Sequence, residues 1–173
     1  MKRFDKFIKK ILGIEGGYSN HKNDRGGATK FGITERTARL NGYEGEMKDL
    51  PLETALSIYR LKYWEKNNIS QLANDAIAFE CLDNAVNMGT GRAVKLLQKA
   101  YNIVNYDNRY GKDLVVDGGL GPVSLVAINL HPAPERLLKL INCYQAMHYV
   151  SLAEKNSTQR EFVWGWVSKR VEV

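Results

Sequence analysis

The sequence predicts a mainly α protein with at most a small β-hairpin or extended loop after its first helix. Apolar residues recur three and four apart along most of the chain, the mark of helices that bury one face. Glycines, asparagines and prolines fall between those segments, where the chain has to turn. With 173 residues and 44% hydrophobic composition, there is enough apolar surface for a real core in one domain or two small ones.

The first helix carries Phe4, Phe7, Ile8, Ile11 and Leu12 on one stripe; Glu15 continues that face, and Gly16-Gly17 stops the helix. In the polar, glycine-rich stretch 16–32, alternating Thr29, Phe31 and Ile33 could form a short strand or an extended loop. Thr34 reads as an N-cap for a short helix to about Leu40, which Asn41-Gly42 breaks. Pro51 suits the first turn of a helix with Leu52, Ala55, Leu56, Tyr59 and Tyr63 on one side. The helix at about 72–88 is apolar over most of its circumference, as a central helix is. Gly89-Thr90-Gly91 separates it from an amphipathic helix at 92–101, and after a polar stretch at 102–122 helices resume at 123–130, about 134–154 and about 160–170. The one subdivision this pattern suggests falls near Gly89-Gly91, giving regions 1–88 and 89–173 packed as one compact unit.

No run of about 18 apolar residues exists, which excludes a conventional transmembrane helix and any stable membrane insertion. The start of the chain leads into an amphipathic segment without a signal-peptide core, so classical export is not expected. The formal charge of +6, from 25 Lys and Arg against 19 Asp and Glu, attracts polyanions, nucleic acid and acidic cell walls among them. The densest basic groups, Lys9-Lys10 and Lys169-Arg170, are too short for a nucleic-acid tail, and no nucleic-acid partner is expected. Cys81 and Cys143 lie in apolar helical patterns and read as small buried thiols without a disulfide. His21, His131 and His148 make no metal-ligand spacing, so neither metal nor organic cofactor is expected. The run from Gly89 to Val94 superficially resembles a dinucleotide fingerprint, but it follows a helix and lacks the closing glycine or alanine.

The chemistry is expected at Glu15. Desolvation on the apolar stripe penalises its carboxylate, and the negative end of the helix dipole lies beside it; both favour the protonated acid, a proton donor. The plain alternative is a helix-terminal glutamate reaching into solvent. Asp24 has a hydrated setting between Asn23 and Arg25 that keeps it ionised, although an aspartate in a glycine-rich loop also serves in an Asx-turn. Two carboxylates with separated pKa values are what glycosidic hydrolysis needs, and Thr29 could hold the water. Tyr18, Phe31, Tyr63 and Trp64 offer flat faces for sugar rings, with core packing as the competing account. Asp83 and Asn87, four apart on a mostly apolar helix, line a cleft floor or anchor a neighbouring loop.

The segment Glu15-Gly16-Gly17-Tyr18, followed by Asp24-Arg25-Gly26-Gly27-Ala28-Thr29-Lys30-Phe31-Gly32-Ile33-Thr34, closely resembles the start of glycoside hydrolase family 108, peptidoglycan N-acetylmuramidases of phages and bacteria, some described as secretion activators. Tyr63-Trp64 and the block from Phe79 to Gly89 continue the likeness. Leu97-Gln98-Lys99-Ala100 with Val116-Asp117-Gly118-Gly119-Leu120-Gly121-Pro122 resembles the family's C-terminal peptidoglycan-binding region, and the block from Phe162 to Val171 its ending. The chain departs from the pattern at Arg25, where a proline is common, at Lys30-Phe31, where Asn-Tyr is common, and at Gln145, where an arginine is expected.

The resemblance implies a lysozyme-like helical fold, with catalysis in 1–88 and wall binding in 89–173. It places the catalytic glutamate on Glu15; the Glu, Asp, Thr order also looks like phage-type lysozymes, with Thr29 about one residue closer to Asp24 than is usual there. The implied partner is the peptidoglycan glycan strand, cleaved at the β-1,4 bond between N-acetylmuramic acid and N-acetylglucosamine in the periplasm or outside the cell. Two rivals stand beside this reading: a catalytically silent wall-binding or secretion-associated protein, and a lytic transglycosylase.

Overall fold

The computed structural model describes residues 2–15, 17–18 and 28–171; Asp24 and His21 lie outside them. It is mainly α, with eight α-helices and one two-stranded antiparallel sheet among the described residues. The chain divides into two compact units, Met1–Lys66 and Asn67–Val173.

In the first unit, α1 (Arg3–Glu15) buries Phe4, Phe7, Ile8 and Ile11, the stripe expected from their spacing. The alternating segment is a hairpin of β1 (Thr29–Lys30) and β2 (Ile33–Thr34), with Thr29 opposite Thr34 and Lys30 opposite Ile33. Thr34 then caps α2 (Glu35–Leu40): its backbone is extended and its side chain accepts the Thr37 amide. Asn41 ends that helix, as its sequence position suggests.

Pro51 stands one place earlier than expected, as the N-cap of α3 (Leu52–Tyr59). The helical path does not stop at Tyr59 but widens into a π-helical turn over Arg60–Glu65, where the Lys66 amide reaches back to the Leu61 carbonyl. This turn changes which side chains share a face. In an unbroken α-helix Tyr59 would be followed on its face by Tyr63, four residues on; the extra residue per turn passes that place to Trp64, five residues on. Tyr59 and Trp64 are accordingly buried, and Tyr63 is only half-buried.

In the second unit Asn74 caps α4 (Asp75–Met88) by accepting the Ala76 and Ile77 amides, so the helix begins three residues later than its apolar pattern. A short 3₁₀ turn, Ile69–Gln71, precedes that pattern. Gly89, at φ 89°, ends α4 and starts α5 (Thr90–Val104) without an intervening loop. The backbone reverses direction within one residue that only glycine occupies easily. α6 (Pro122–Asn129) and the long α7 (Pro134–Lys155) both begin on a proline, and α8 (Arg160–Arg170) closes the bundle. α4 packs on α5 and α7, α5 also packs on α7, and α8 lies against α7. α4 is central in this unit, with Ile77, Ala78, Cys81, Leu82 and Ala85 buried.

Two distant blocks of the sequence meet here. Gln98 on α5 is fully buried, and its amide nitrogen donates to the Asp117 carboxylate at 2.9 Å and the Gly119 carbonyl at 3.0 Å. Its oxygen accepts the Gly118 amide at 2.9 Å. The glycine turn before α6 is therefore stapled to α5, and the Gln98 and Gly119 donors hold the Asp117 carboxyl below its usual range. The thiols divide unequally: Cys81 is buried as expected, whereas Cys143 is exposed on α7. The apolar pattern misplaced Cys143 because α7 buries only a narrow set, Leu137, Ile141, Asn142, Gln145 and Tyr149, and position 143 points away from it.

Candidate active site

α1 ends on Glu15, so the sequence's helix-end carboxylate is a helix-end residue in the fold. Tyr18 beyond it is exposed. The hairpin supplies Thr29 on β1 and Phe31 at the tip, both half-buried.

Phe31 and Gly32 both have positive φ, 52° and 72°, which makes the two-residue loop a type I′ turn. An aromatic residue is unusual at the first of these positions, where asparagine is preferred. Tertiary contacts hold it there. The Tyr59 hydroxyl donates to the Phe31 carbonyl at 2.7 Å, and the Lys30 ammonium, which lies 5.2 Å from the Phe31 ring, donates to the Lys48 carbonyl. The hairpin tip is thus tied to α3 and to the 3₁₀ turn Met47–Asp49, and Phe31 is presented in a fixed place.

Tyr63 lies 5.8 Å ring to ring from Tyr59, with Lys62 5.3 Å from its face. Burial pushes both phenols up, so they stay neutral donors at ordinary pH. Trp64 requires a correction. It is 6% exposed, 6.0 Å from Phe4 and 5.7 Å from Phe7, with the Arg3 guanidinium 5.6 Å from its ring. Its faces belong to the core of the first unit, because the π turn rotated it inward, and it is not a platform for a sugar.

Asp83 needs the same revision. Its carboxylate accepts from Arg170 of α8 at 2.6 Å with both side chains nearly enclosed, so it anchors a helix instead of meeting a substrate. Asn87, one turn further and half-buried, donates to the Tyr149 hydroxyl of α7. Glu80 accepts from Asn84 at 2.8 Å one turn earlier. The polar side of α4 is a row of contacts within the helical unit, and neither spacing nor composition distinguished that from a cleft floor. Tyr59, which its spacing places on the apolar side of its helix, is buried and also fixes the hairpin. Among the described residues, no group of three His, Cys, Asp or Glu is placed to hold a metal ion, and no helix is long and apolar enough to cross a membrane.

The helix-end glutamate and the hairpin that follows it both lie in the part of the chain that matches a known protein family. Residues 8–89 match the family described as glycosyl hydrolase 108, and residues 92–171 match the one described as a predicted peptidoglycan domain. The chain is a glycoside hydrolase acting on peptidoglycan. Its N-terminal part, residues 8–89, carries a glycosyl hydrolase 108 domain, with a peptidoglycan domain on the C-terminal side. The structure of Brucella abortus SagA is similar, at 28% identity and a TM-score of 0.68, over 98% of this chain and 96% of that one. No curated protein matches the sequence.

Proposed function

We propose that the chain is an N-acetylmuramidase that cleaves the β-1,4 bond between N-acetylmuramic acid and N-acetylglucosamine, with Glu15 as general acid. The observation that carries this reading is the end of α1 on Glu15, with the apolar stripe before it buried. As general acid, the Glu15 carboxyl gives its proton to the glycosidic oxygen as the bond to the anomeric carbon breaks. In the same reading Asp24 supports the oxocarbenium-like centre or orients water, and Thr29 holds that water. Tyr18, Phe31 and Tyr63 supply surfaces for the sugar rings, Phe31 from a turn that is already fixed. Residues 1–88 carry the catalysis and 89–173 hold the wall. The basic surface concentrates the enzyme on an anionic wall, in the periplasm or outside the cell, and rising salt weakens that attraction.

Turbidity of purified peptidoglycan tests the assignment. Wild type clears the suspension, and Glu15→Gln sediments with the wall without clearing it; equal clearing by both removes Glu15 from the mechanism. Mass spectra of the released muropeptides show reducing muramic ends for hydrolysis and anhydro-muramic ends for a transglycosylase. A wild type that binds and never clears is a wall-binding protein without activity.

A further inference from the structure

The loop between α5 and α6 builds a pocket that glycosidic chemistry does not use. Its volume is about 330 Å³, and it is lined by Ile103, Tyr106, Arg109 and Tyr110 on one side and by His131 and Arg136 on the other. The Arg109 guanidinium lies 5.9 Å from the Tyr106 ring and 6.0 Å from the Tyr110 ring. Neither Arg109 nor Arg136 has a carboxylate partner among the described residues. Two exposed cations at one pocket mouth, with their charge unanswered, are placed for an anion.

His131 adds a directed donor. Its Nδ1 accepts the Ala133 amide at 3.2 Å, which puts the hydrogen of the neutral ring on Nε2. The side chain is 6% exposed, and Nε2 is buried with no hydrogen-bond partner among the described residues. The Tyr110 ring stands edge-on to the imidazole, 5.0 Å between ring centres, and carries Arg109 6.0 Å from its own centre. A buried N–H without an acceptor costs stability unless a ligand supplies one.

The loop is fixed in advance. Tyr106, Asp107 and Asn108 all have left-handed backbones, with φ of 47°, 56° and 61°, an unfavourable run for residues with a Cβ. Buried Asn105 holds the shape by donating to the Gly111 carbonyl at 2.9 Å and the Asp113 carboxylate at 2.8 Å while accepting the Tyr110 amide at 3.2 Å. Strain maintained by a buried staple presents the tyrosines and Arg109 together.

We propose that this pocket is a subsite for a carboxylate-bearing stem peptide of peptidoglycan. The guanidinium groups take the carboxylate, the tyrosine faces cover its aliphatic side chains, and the His131 N–H meets a peptide carbonyl when the Tyr110 ring shifts aside. An uncharged stretch of glycan has no group to answer two unpaired arginines; a stem peptide has several. The inference rests on peptidoglycan as substrate and is independent of Glu15.

Calorimetric titration of the full chain with the soluble pentapeptide L-Ala-γ-D-Glu-L-Lys-D-Ala-D-Ala tests it, beside the same peptide amidated at both carboxylates and beside chitotetraose. The pentapeptide binds, and the diamide binds on the order of tenfold or more weakly, a difference of about 1.4 kcal/mol or more. Arg109→Ala and Arg136→Ala each weaken the pentapeptide by about tenfold, with the melting temperature and chitotetraose affinity unchanged. No pentapeptide binding at millimolar concentration, or equal binding of the pentapeptide and its diamide, overturns the proposal. So does a pair of arginine variants that bind like wild type. A wild type that binds the pentapeptide yet leaves peptidoglycan uncleared sinks the hydrolytic mechanism and leaves this subsite standing.

Discussion

Arg170, three residues before the last position of the sequence, places its guanidinium 2.6 Å from the carboxylate of Asp83 in the middle of α4, and water reaches neither side chain to any extent. The pair joins α8 to the helix at the centre of the second unit. Burial lowers the Arg170 pKa from its ordinary value, but an arginine that still carries its charge there leaves no room for a lone partner. Replacing Arg170 with methionine removes this buried ion pair and costs about 3–5 kcal/mol in chemical denaturation. The double variant with Asp83→Asn recovers part of that loss. Equal stability of the single variant and wild type would show that the pair is dispensable.

Gly118 has φ 84°, and a Cβ placed on it would stand 2.6 Å from the carbonyl oxygen of Gly91. Neither atom set can yield, since Gln98 staples the Gly118 amide and Gly91 is in the first turn of α5. Gly118→Ala is expected to destabilise the chain by about 2–4 kcal/mol through backbone strain and overlap. Gly91→Ala meets nothing within 4 Å and serves as the control, neutral or stabilising by up to about 1 kcal/mol. Thermal melts of both variants decide the matter.

At the hairpin tip, Phe31→Asn separates folding from substrate contact. Asparagine tolerates the left-handed backbone of a type I′ turn better than phenylalanine, so stability stays level or rises by about 0.5–1 kcal/mol. If the Phe31 ring covers a sugar, KM for soluble peptidoglycan fragments rises in the same variant. A melting temperature that falls together with activity would mean that Phe31 is only a folding residue.

The thiols give a pH prediction. Burial, with a smaller contribution from the Glu80 carboxylate, pushes Cys81 up from 9.0 to about 12. The unfolded chain therefore releases this proton near pH 9 while the folded chain keeps it. Cys81 is neutral to stability below that pH and subtracts about 1.4 kcal/mol per pH unit between about 9 and 12. Cys81→Ala flattens that part of the alkaline denaturation curve, after allowing for its smaller volume. In the native protein at neutral pH a thiol reagent titrates one group, exposed Cys143, and reaches Cys81 only on unfolding.

Periodicity read the helical elements well because burial enforces it: the stripe of α1 and the central position of α4 follow from where apolar residues fall. Capping chemistry located α2, since Thr34 has one obvious amide to accept. What escaped depends on partners far away in sequence. Nothing local to Arg60–Glu65 announces a π turn, and that single extra residue decides that Trp64 is core and Tyr63 is not. Asp83 reads as a candidate for substrate until Arg170, 87 positions away, is seen beside it. At the candidate site the sequence carried further, because a helix-end carboxylate and a glycine-rich hairpin are local features, and the type I′ turn confirms the reversal suggested there.

α4 lies inside the stretch that matches the hydrolase family, residues 8–89, yet it is folded into the unit Asn67–Val173. The inherited module and the folded module thus overlap by one helix. A fragment cut at the family border would carry an α4 stripped of α5 and α7, its apolar circumference open to water and its Asp83 without Arg170. Recombination in this architecture has a forbidden seam where the sequence looks most divisible: new wall-binding partners can be exchanged only together with the helix that the hydrolase segment contributes to them.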